Sequence, residues 1–313
     1  MLYKNIVPGI DNILHPQVAC IMSTMFSKPA SECSWAELAK LVNKSFEGYI
    51  GSPVHMTAEG VEAWFPANFV APAISPVFFP SSPEDGAEPI AFALLSVRDD
   101  RPGQTRLTTM GVVPTFQGRG TGSKVLQEVI EAERKRGTRL LELECIQGNE
   151  RALKLYTRNG FTKYRELAGW HMTEVPSEAS VAHPGLQDCS VEDVDAILAA
   201  HGSPDLPWQA RGMAKLASPG LGFRLDHAYC VIEKPNDDAD TILVYCFIVE
   251  PDWRRKGEGK RLIEALVARY PGKKFKARPI FPYEYGESFT KSLENLRIET
   301  IGIKLWQMRL DLA

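Results

Sequence analysis

Apolar residues recur at helical spacing in three stretches of the chain, as they do on the buried face of a helix. The first stretch follows Ser34 and Glu37, which have the spacing of a helix-capping box. The second lies between Gly122 and Gly137, and the third follows Gly259. The pattern therefore predicts three amphipathic helices. Their apolar stripes are Leu38, Leu41, Val42 and Phe46; Val125, Leu126, Val129 and Ile130; and Leu262, Ile263, Leu266 and Val267.

Apolar segments of strand length alternate with these helices. Ile90–Val97 and Leu107–Val113 predict two strands on either side of a turn at Asp99–Gly103. Leu140–Ile146 predicts the next strand and Glu150–Asn159 the next helix. The order strand, helix, strand, helix predicts an α/β fold with a mixed (α+β) sheet and parallel pairing at this point.

The middle of the chain repeats at a constant offset. Pro114, Gly120 and Gly122 correspond to Pro251, Gly257 and Gly259, because 251 − 114, 257 − 120 and 259 − 122 all equal 137. The same shift carries all four stripe residues of the second helix onto those of the third. This register predicts an internal duplication. We expect two similar domains, residues 34–175 and 191–313, with a linker over 176–190 and an N-terminal extension over 1–33.

Composition removes several classes of function. The chain has 313 residues and a formal net charge of −3, so it lacks the overall basic field of a nucleic-acid-binding or membrane-surface protein. Its six cysteines form no CxxC pair, and no histidines complete a zinc-like spacing, so we expect free thiols and no metal site. No apolar run is long enough to span a bilayer, and the N-terminus does not resemble a signal peptide. We therefore expect a cytoplasmic protein; a mitochondrial address is the alternative, although Asp11 and the scarcity of arginine near the N-terminus argue against it.

The stretch from Val112 to Gly122 joins a predicted strand to a predicted helix and carries the chemistry. Its glycines let the backbone approach a ligand closely, and the free amides at the helix start favour a diphosphate. Arg119 and Lys124 add positive charge at the rim. Neither a GxxxxGK[ST] signature nor a complete GxGxxG is present. The alternative is a glycine-rich turn that serves only the backbone.

The segment Val112–Gly122 resembles motif A of the GNAT (GCN5-related N-acetyltransferase) superfamily, in which (Q/R)-x-x-G-x-(G/A) wraps the diphosphate of coenzyme A. Asn149–Phe161 resembles motif B of the same superfamily, in the expected order and separation. The resemblance implies two GNAT-like acyl-CoA N-acyltransferase domains in tandem, the second degenerate. It also implies acetyl-CoA as the co-substrate.

By this resemblance, backbone groups of Met110, Val112 and Val113 would pair with the pantetheine arm, and the side chain of Asn149 would help to fix it. Tyr156 matches the general acid that protonates the departing thiolate. The alternative is that Tyr156 only packs, because it shares a helical face with Leu153. The residues expected to hold the diphosphate are Gln117, Gly118, Arg119, Gly120, Thr121, Gly122 and Ser123.

Glu144 is the candidate base, because it matches the base of related ribosomal-protein alanine acetyltransferases, five residues before Asn149. It shares a strand face with Glu142, and the alternative is that this face is solvated or salt-bridged. Glu142 and His55 are the reserve candidates. The acceptor wall is expected in Phe46–Phe65 and in the proline-rich run up to Glu88, which predicts irregular structure. The residues of this wall that suit a small cationic amine are Glu47, Tyr49, His55, Glu59 and Trp64.

The second repeat keeps the R-x-x-G-x-G turn, from Arg254 to Gly259. At the offset of 137, the counterparts of Glu144, Asn149 and Tyr156 are Phe281, Gly286 and Leu293. We expect a turn kept for its shape; a second CoA site without chemistry is the alternative. For the whole chain we expect an N-acetyltransferase that acts on a primary amine of a small molecule or peptide. The alternative is a catalytically silent acyl-CoA sensor or scaffold.

Overall fold

The computed structural model describes residues 25–50, 54–80, 86–175, 184–202, 206–210, 220–283, 290–291 and 293–313. The strands are β1 Phe26–Pro29, β2 Pro76–Phe79, β3 Ala91–Ser96, β4 Gln104–Val112, β5 Leu140–Ile146, β6 Thr162–Met172, β7 Gln187–Cys189, β8 Leu221–Leu225, β9 Ala228–Ile232, β10 Thr241–Val249, β11 Lys274–Pro282, β12 Ile298–Thr300 and β13 Leu305–Asp311. The α-helices are α1 Trp35–Ser45, α2 Ala58–Ala67, α3 Thr121–Arg136, α4 Glu150–Arg158, α5 Val191–His201 and α6 Glu258–Arg269.

These strands form one mixed sheet in the order β1-β2-β3-β4-β5-β13-β6-β11-β10-β9-β8-β7, with β12 paired to β6 beside this path. β4 and β5 run parallel, as do β10 and β11, and the other pairs are antiparallel. The mixed α/β fold expected from the sequence is confirmed. The two parallel pairs occupy equivalent places in the two repeats.

The two repeats exchange their closing strands at the centre of the sheet. β13 lies between β5 and β6, with Gln307 opposite Glu144. β6 in turn pairs with β11, where Trp170 lies opposite Ala277. A Cβ on Gly169 would lie 2.3 Å from the carbonyl oxygen of Ala277, so this close strand approach requires glycine. Each repeat therefore completes the sheet of the other.

Local patterns in the first repeat fold as the sequence indicates. The amide of Glu37 donates to the Ser34 hydroxyl and the amide of Ser34 to the Glu37 carboxylate, which completes the predicted capping box. The apolar stripe of α3 is buried in the core of the first repeat. The five described cysteines are free thiols.

Three expectations about the irregular segments need correction. Residues 1–24 of the predicted extension lie outside the described residues, but β1 pairs with β2 and Ala30 belongs to the first core. The proline-rich run contains the end of α2, with Pro66 in its last turn, and all of β2. Residues 176–183 of the predicted linker are likewise not described, and the same interval contains β7, which pairs with β8. None of the helices in the described ranges is long and apolar enough to cross a membrane.

The offset of 137 holds through the turn and changes after it. β4 and β10 begin at Gln104 and Thr241, which differ by 137. Gln104 pairs with Leu140 and Thr241 with Lys274, so the offset there is 274 − 140 = 134. The reason is that α6 is four residues shorter than α3, whereas the connection that follows it, 270–273, is one residue longer than 137–139. The counterpart of Glu144 is therefore Arg278, and the alignment with Phe281 was wrong. Gly286 lies outside the described residues.

Candidate active site

A wedge opens between β4 and β5 at the carboxyl ends of the two strands. They pair only from Gln104–Leu140 to Arg106–Glu142, although both continue beyond these residues. In the pairing with β3, Thr108 is left over as a bulge, and a bulge bends its strand. The wedge borders a cavity of about 570 Å³ that also contacts the start of α3, the inner face of α4 and the end of α1.

The turn before α3 has the geometry of an anion seat. Gly118 and Gly120 have φ of 75° and 84°, and a Cβ on Gly118 would have no atom within 4 Å. The conformation favours glycine, and the space in front of it is open. α3 starts at Thr121 without a side-chain cap, so its first amides have no intrahelical partner. These amides and the helix dipole favour a phosphate at this place.

Gln117 ties the turn to the neighbouring elements. Its Nε2 donates to the carbonyl of Val112 at 2.7 Å, and its Oε1 accepts from Arg151 Nη1 at 2.8 Å. The carbonyl of Val112 is one of the groups expected to pair with pantetheine. A ligand that pairs there replaces an internal hydrogen bond.

Tyr156 and Asn149 both line the cavity from α4. Asn149 caps the helix, with Oδ1 accepting from the amide of Ala152 at 3.1 Å, and its side chain lies beside the phenol of Tyr49. Burial raises the pKa of Tyr156 well above its usual range, and the neighbouring Cys145 and Tyr49 add to the shift. The phenol therefore stays protonated at neutral pH, as a proton donor must.

The end of α1 contributes the other wall of the cavity. Glu47 and Tyr49 lie there, as the sequence indicated, together with Ile50. Gly111 makes this possible, because a Cβ at that position would lie 2.7 Å from Cβ of Ser45 in α1. Three members of the predicted acceptor wall are not among the lining residues: His55, Glu59 and Trp64.

The structure brings nine of the predicted site residues together in this cavity: Met110, Val112, Gln117, Gly118, Gly120, Gly122, Ser123, Asn149 and Tyr156. Val113 does not join them, because it is buried and its amide donates to the carbonyl of Ile90 at 2.9 Å. Thr121 is also buried, with its hydroxyl donating to the carbonyl of Phe116. The side chain of Arg119 is exposed outside the lining. Sequence reasoning missed Cys145, which lies beside Tyr156. Strand alternation places Cys145 on the other face of β5 from Glu144.

Glu144 lies on the other face of β5, in a buried ion pair. Arg106 donates through Nε and Nη2 to Oε2 at 2.8 and 2.7 Å, and the two side chains are 7% and 5% exposed. Gln209 donates from Nε2 to Oε1 at 3.1 Å, with its carboxamide oriented by this network. The alternative that the sequence left open, a salt-bridged strand face, is thus present. Glu144 does not line the cavity.

The two reserve candidates are also away from the cavity. Glu142 is buried between Arg101 and Arg309, with N–O distances of 3.7 and 3.5 Å. Burial, together with the neighbouring Glu144, raises the pKa of Glu142. His55 is exposed.

Residues 35–161 match the family model described as the acetyltransferase (GNAT) family. Residues 35–161 form a GNAT domain. The bovine (Bos taurus) thialysine N-epsilon-acetyltransferase is 35% identical over 68 residues, which are 22% of this chain and 40% of that protein. The matched segment thus spans less than half of this relative.

Solved structures show that the GNAT fold extends over both repeats. A GNAT protein from Sphaerobacter thermophilus has a TM-score of 0.64 at 14% identity, covering 92% of this chain and 96% of its own. A tandem GNAT protein from the clavulanic acid biosynthesis pathway has a TM-score of 0.61 at 14% identity, covering 93% and 99%. At these identities the likeness concerns the fold alone. The chain has the fold of a tandem GNAT protein.

The GNAT domain carries a basic strip beside its glycine turn. Arg151, Lys154 and Arg158 lie on one face of α4, all exposed and all lining the cavity. No ion pair with an acidic residue is formed by Lys154 or Arg158 within the described part of the chain. In a chain of net charge −3, this strip gives the cavity a local attraction for phosphates.

The second GNAT repeat keeps the turn but fills its surroundings with its own side chains. Gly257 has φ 89° and ψ −5°, against 84° and −5° for Gly120. Arg254 donates to the carbonyls of Val249 and His201, each at 2.9 Å. Glu258 replaces Thr121 at the start of the helix and is buried, with Oε1 accepting from Arg261. The helix of the second repeat thus starts with a buried carboxylate at the position where that of the first repeat has a hydroxyl.

Proposed function

We propose that the protein is an acetyl-CoA-dependent N-acetyltransferase that acts on a primary amine of a small molecule or peptide. One observation carries the proposal: a single cavity joins the open glycine turn before α3 to the protonated phenol of Tyr156 at the wedge between β4 and β5. The first feature suits a diphosphate, and the second suits a departing thiolate. In acetyl-CoA both groups belong to one molecule.

In the proposed complex, the amides from Gly118 to Ser123 hold the diphosphate, with the basic strip of α4 beside it. The pantetheine arm runs along the part of β4 that has no β5 partner, and it replaces Gln117 at the carbonyl of Val112. Asn149 needs no rearrangement to take part, because its capping bond already fixes its side chain in the cavity wall.

The proposed reaction is a direct transfer. The amine nitrogen forms a bond to the acetyl carbon, the carbon–sulfur bond breaks, and Tyr156 donates its proton to the thiolate. The amine loses a proton to a base, for which Glu144 stays our proposal. Three of the four lone-pair sites of its carboxylate are taken by Arg106 and Gln209, which leaves one on Oε1 for the amine or a bridging water.

The position of Glu144 is compatible with a role as base while Tyr156 acts as the acid. Glu144 and Cys145 are adjacent in β5 and therefore point to opposite faces, and Tyr156 lies on the side of Cys145. Residues 206–210 lie over the face of Glu144, so the amine binds in the cavity and a bridging water carries its proton to Oε1 of Glu144. Among the described lining residues, Glu47 is the one carboxylate, and with Tyr49 it favours a cationic acceptor. The name of the bovine relative supports transfer to a side-chain amine.

A thiol-release assay with acetyl-CoA and a panel of primary amines tests the proposal, alongside thermal unfolding with acetyl-CoA, NAD or ATP. We expect turnover with at least one amine. At about 100 times its dissociation constant, acetyl-CoA should stabilise the fold by roughly 2.7 kcal/mol, whereas NAD and ATP should not. Stabilisation without thiol release from any amine would support the silent sensor or scaffold. Absence of any shift with acetyl-CoA would exclude both functions.

A further inference from the structure

A short segment of the second repeat, residues 206–210, covers the outer face of β5 in the first. Two buried arginines of the first repeat hold it: Arg98 donates to the carbonyl of Trp208 at 2.9 Å, and Arg101 donates to that of Leu206. The side chain of Trp208 is buried, with both guanidinium groups near its ring. The segment is therefore held by hydrogen bonds from two arginines and by the buried side chain of Trp208.

Gln209 of this segment reaches the ion pair at the wedge. Its Nε2 donates to Oε1 of Glu144 at 3.1 Å, and its carboxamide oxygen accepts from Nη2 of Arg106. One carboxamide thus satisfies both members of the pair at once. Nη1 of Arg106 is buried with no partner within the described residues, so the orientation of this guanidinium depends on Glu144 and Gln209.

We propose that Gln209 is a positioning residue that the second repeat contributes to the active site of the first. It holds the carboxylate of Glu144 in place and donates one of its three hydrogen bonds. The inference rests on the proposed function, in which Glu144 accepts the proton of the amine. It gives the second repeat a part in catalysis without a cofactor site of its own.

The expected direction follows from the charges around Glu144. A hydrogen bond donated to a carboxylate stabilises the ionised form and lowers its pKa. Arg106 pairs with this carboxylate, and Glu142 lies on the same strand. Arg101 and Arg309 face Glu142, and from β6 Arg165 donates to Gln307 beside it. Removing Gln209 leaves these charges in place and takes one of three donors from the carboxylate, so the acidic limb of the rate profile should move to higher pH.

The test uses the full chain and the pH dependence of kcat/KM for the best amine acceptor. Gln209→Met keeps the size of the side chain but loses both hydrogen bonds, so the acidic limb should move to higher pH by about one unit. Gln209→Glu places a second carboxylate there, and the limb should move further. The dissociation constant for acetyl-CoA should stay within about twofold in both, because Gln209 does not line the cavity.

Gln307→Met is the matched control, because this carboxamide donates to Glu142 and accepts from Arg165 rather than contacting Glu144 through a hydrogen bond. The acidic limb of the pH profile of Gln307→Met should lie at the same pH as that of the parent. If both Gln209 variants keep the parental limb, whatever their rates, Gln209 is only structural and the inference fails while the proposed function stands. If Glu144→Gln turned over like the parent, Glu144 would not be the base and the inference about Gln209 would fail. The proposed acetyl transfer would still stand.

Discussion

Tyr156 packs against Phe161 with the ring centroids 5.8 Å apart, while its phenol faces the cavity. In Tyr156→Phe the ring contact is kept and the proton donor is lost, so turnover should fall by roughly 10²–10⁴-fold. Binding of acetyl-CoA should change little. Single-turnover kinetics and calorimetric titration measure the two quantities. Tyr49→Phe is the control, because it removes the other phenol that lines the cavity and should cost far less.

If Tyr156→Phe turns over like the parent, another group protonates the thiolate or this step does not limit the rate. Equal losses in the two tyrosine variants would also contradict a special role for Tyr156.

The pH range of the acid follows from the burial of Tyr156. An unperturbed tyrosine ionises near pH 10, and here the pKa is raised, so the phenol stays protonated beyond that value. On the alkaline side, kcat should therefore not fall between about pH 7 and 9.5, provided that the fold is intact. A pH series of kcat at saturating acetyl-CoA and amine, with circular dichroism as the check on folding, measures this. A fall with a midpoint near pH 8 would point to a different acid.

At the scale of elements, local sequence patterns predicted the glycine turn and the helix after it better than they predicted the side chains that contact Glu144. The capping box at Ser34, the stripe of α3 and the glycine turn depend on residues that are close in sequence. A local sequence pattern is therefore enough to predict them. The side-chain environment of Glu144 depends on Arg106 and Gln209, which lie 38 and 65 residues away along the chain. Spacing alone cannot show that such groups meet.

The two turns offer a comparison matched in backbone geometry. Gly120 and Gly257 share the same left-handed conformation, with φ of 84° and 89° and ψ of −5° in both. Glutamate at either position should therefore cause similar backbone strain, and only the effect on the ligand should differ. We expect one acetyl-CoA per chain in the parent and in Gly257→Glu, and none in Gly120→Glu. Calorimetric titration gives the stoichiometry.

The reason lies in what stands around each turn. In the second repeat the dipole contribution of α6, about 0.3–1 kcal/mol at an exposed helix start, is opposed by the buried carboxylate of Glu258. Arg254 also occupies the carbonyl of Val249, as Gln117 does that of Val112, but with a second bond to His201. A stoichiometry near two in the parent would contradict this and indicate a second acyl-CoA site.

At the scale of the whole molecule, the exchange of β6 and β13 could not be predicted from the sequence. Both strands have the composition of ordinary strands, and their pairing partners lie in the other repeat. The proposed boundaries at 175 and 191 still separate the two copies of the duplicated pattern. The hydrogen bonds of the sheet cross them in both directions, so the copies are not expected to fold independently.

Truncation after Lys304 tests this dependence, because it removes β13 and leaves the glycine turn, Asn149 and Tyr156 in place. β5 would lose a strand partner along its full length, and Glu142 would lose Gln307 and Arg309. An unpaired buried strand edge and a buried carboxylate stripped of partners are both costly. We expect the cooperative thermal transition and the stabilisation by acetyl-CoA to disappear together, although the lost residues lie in the second repeat. Truncation after Asp311 keeps all of β13 and should preserve both. If the shorter chain still melts cooperatively and is stabilised by acetyl-CoA, the first repeat folds without its exchanged strand, and the duplication joins two self-sufficient domains.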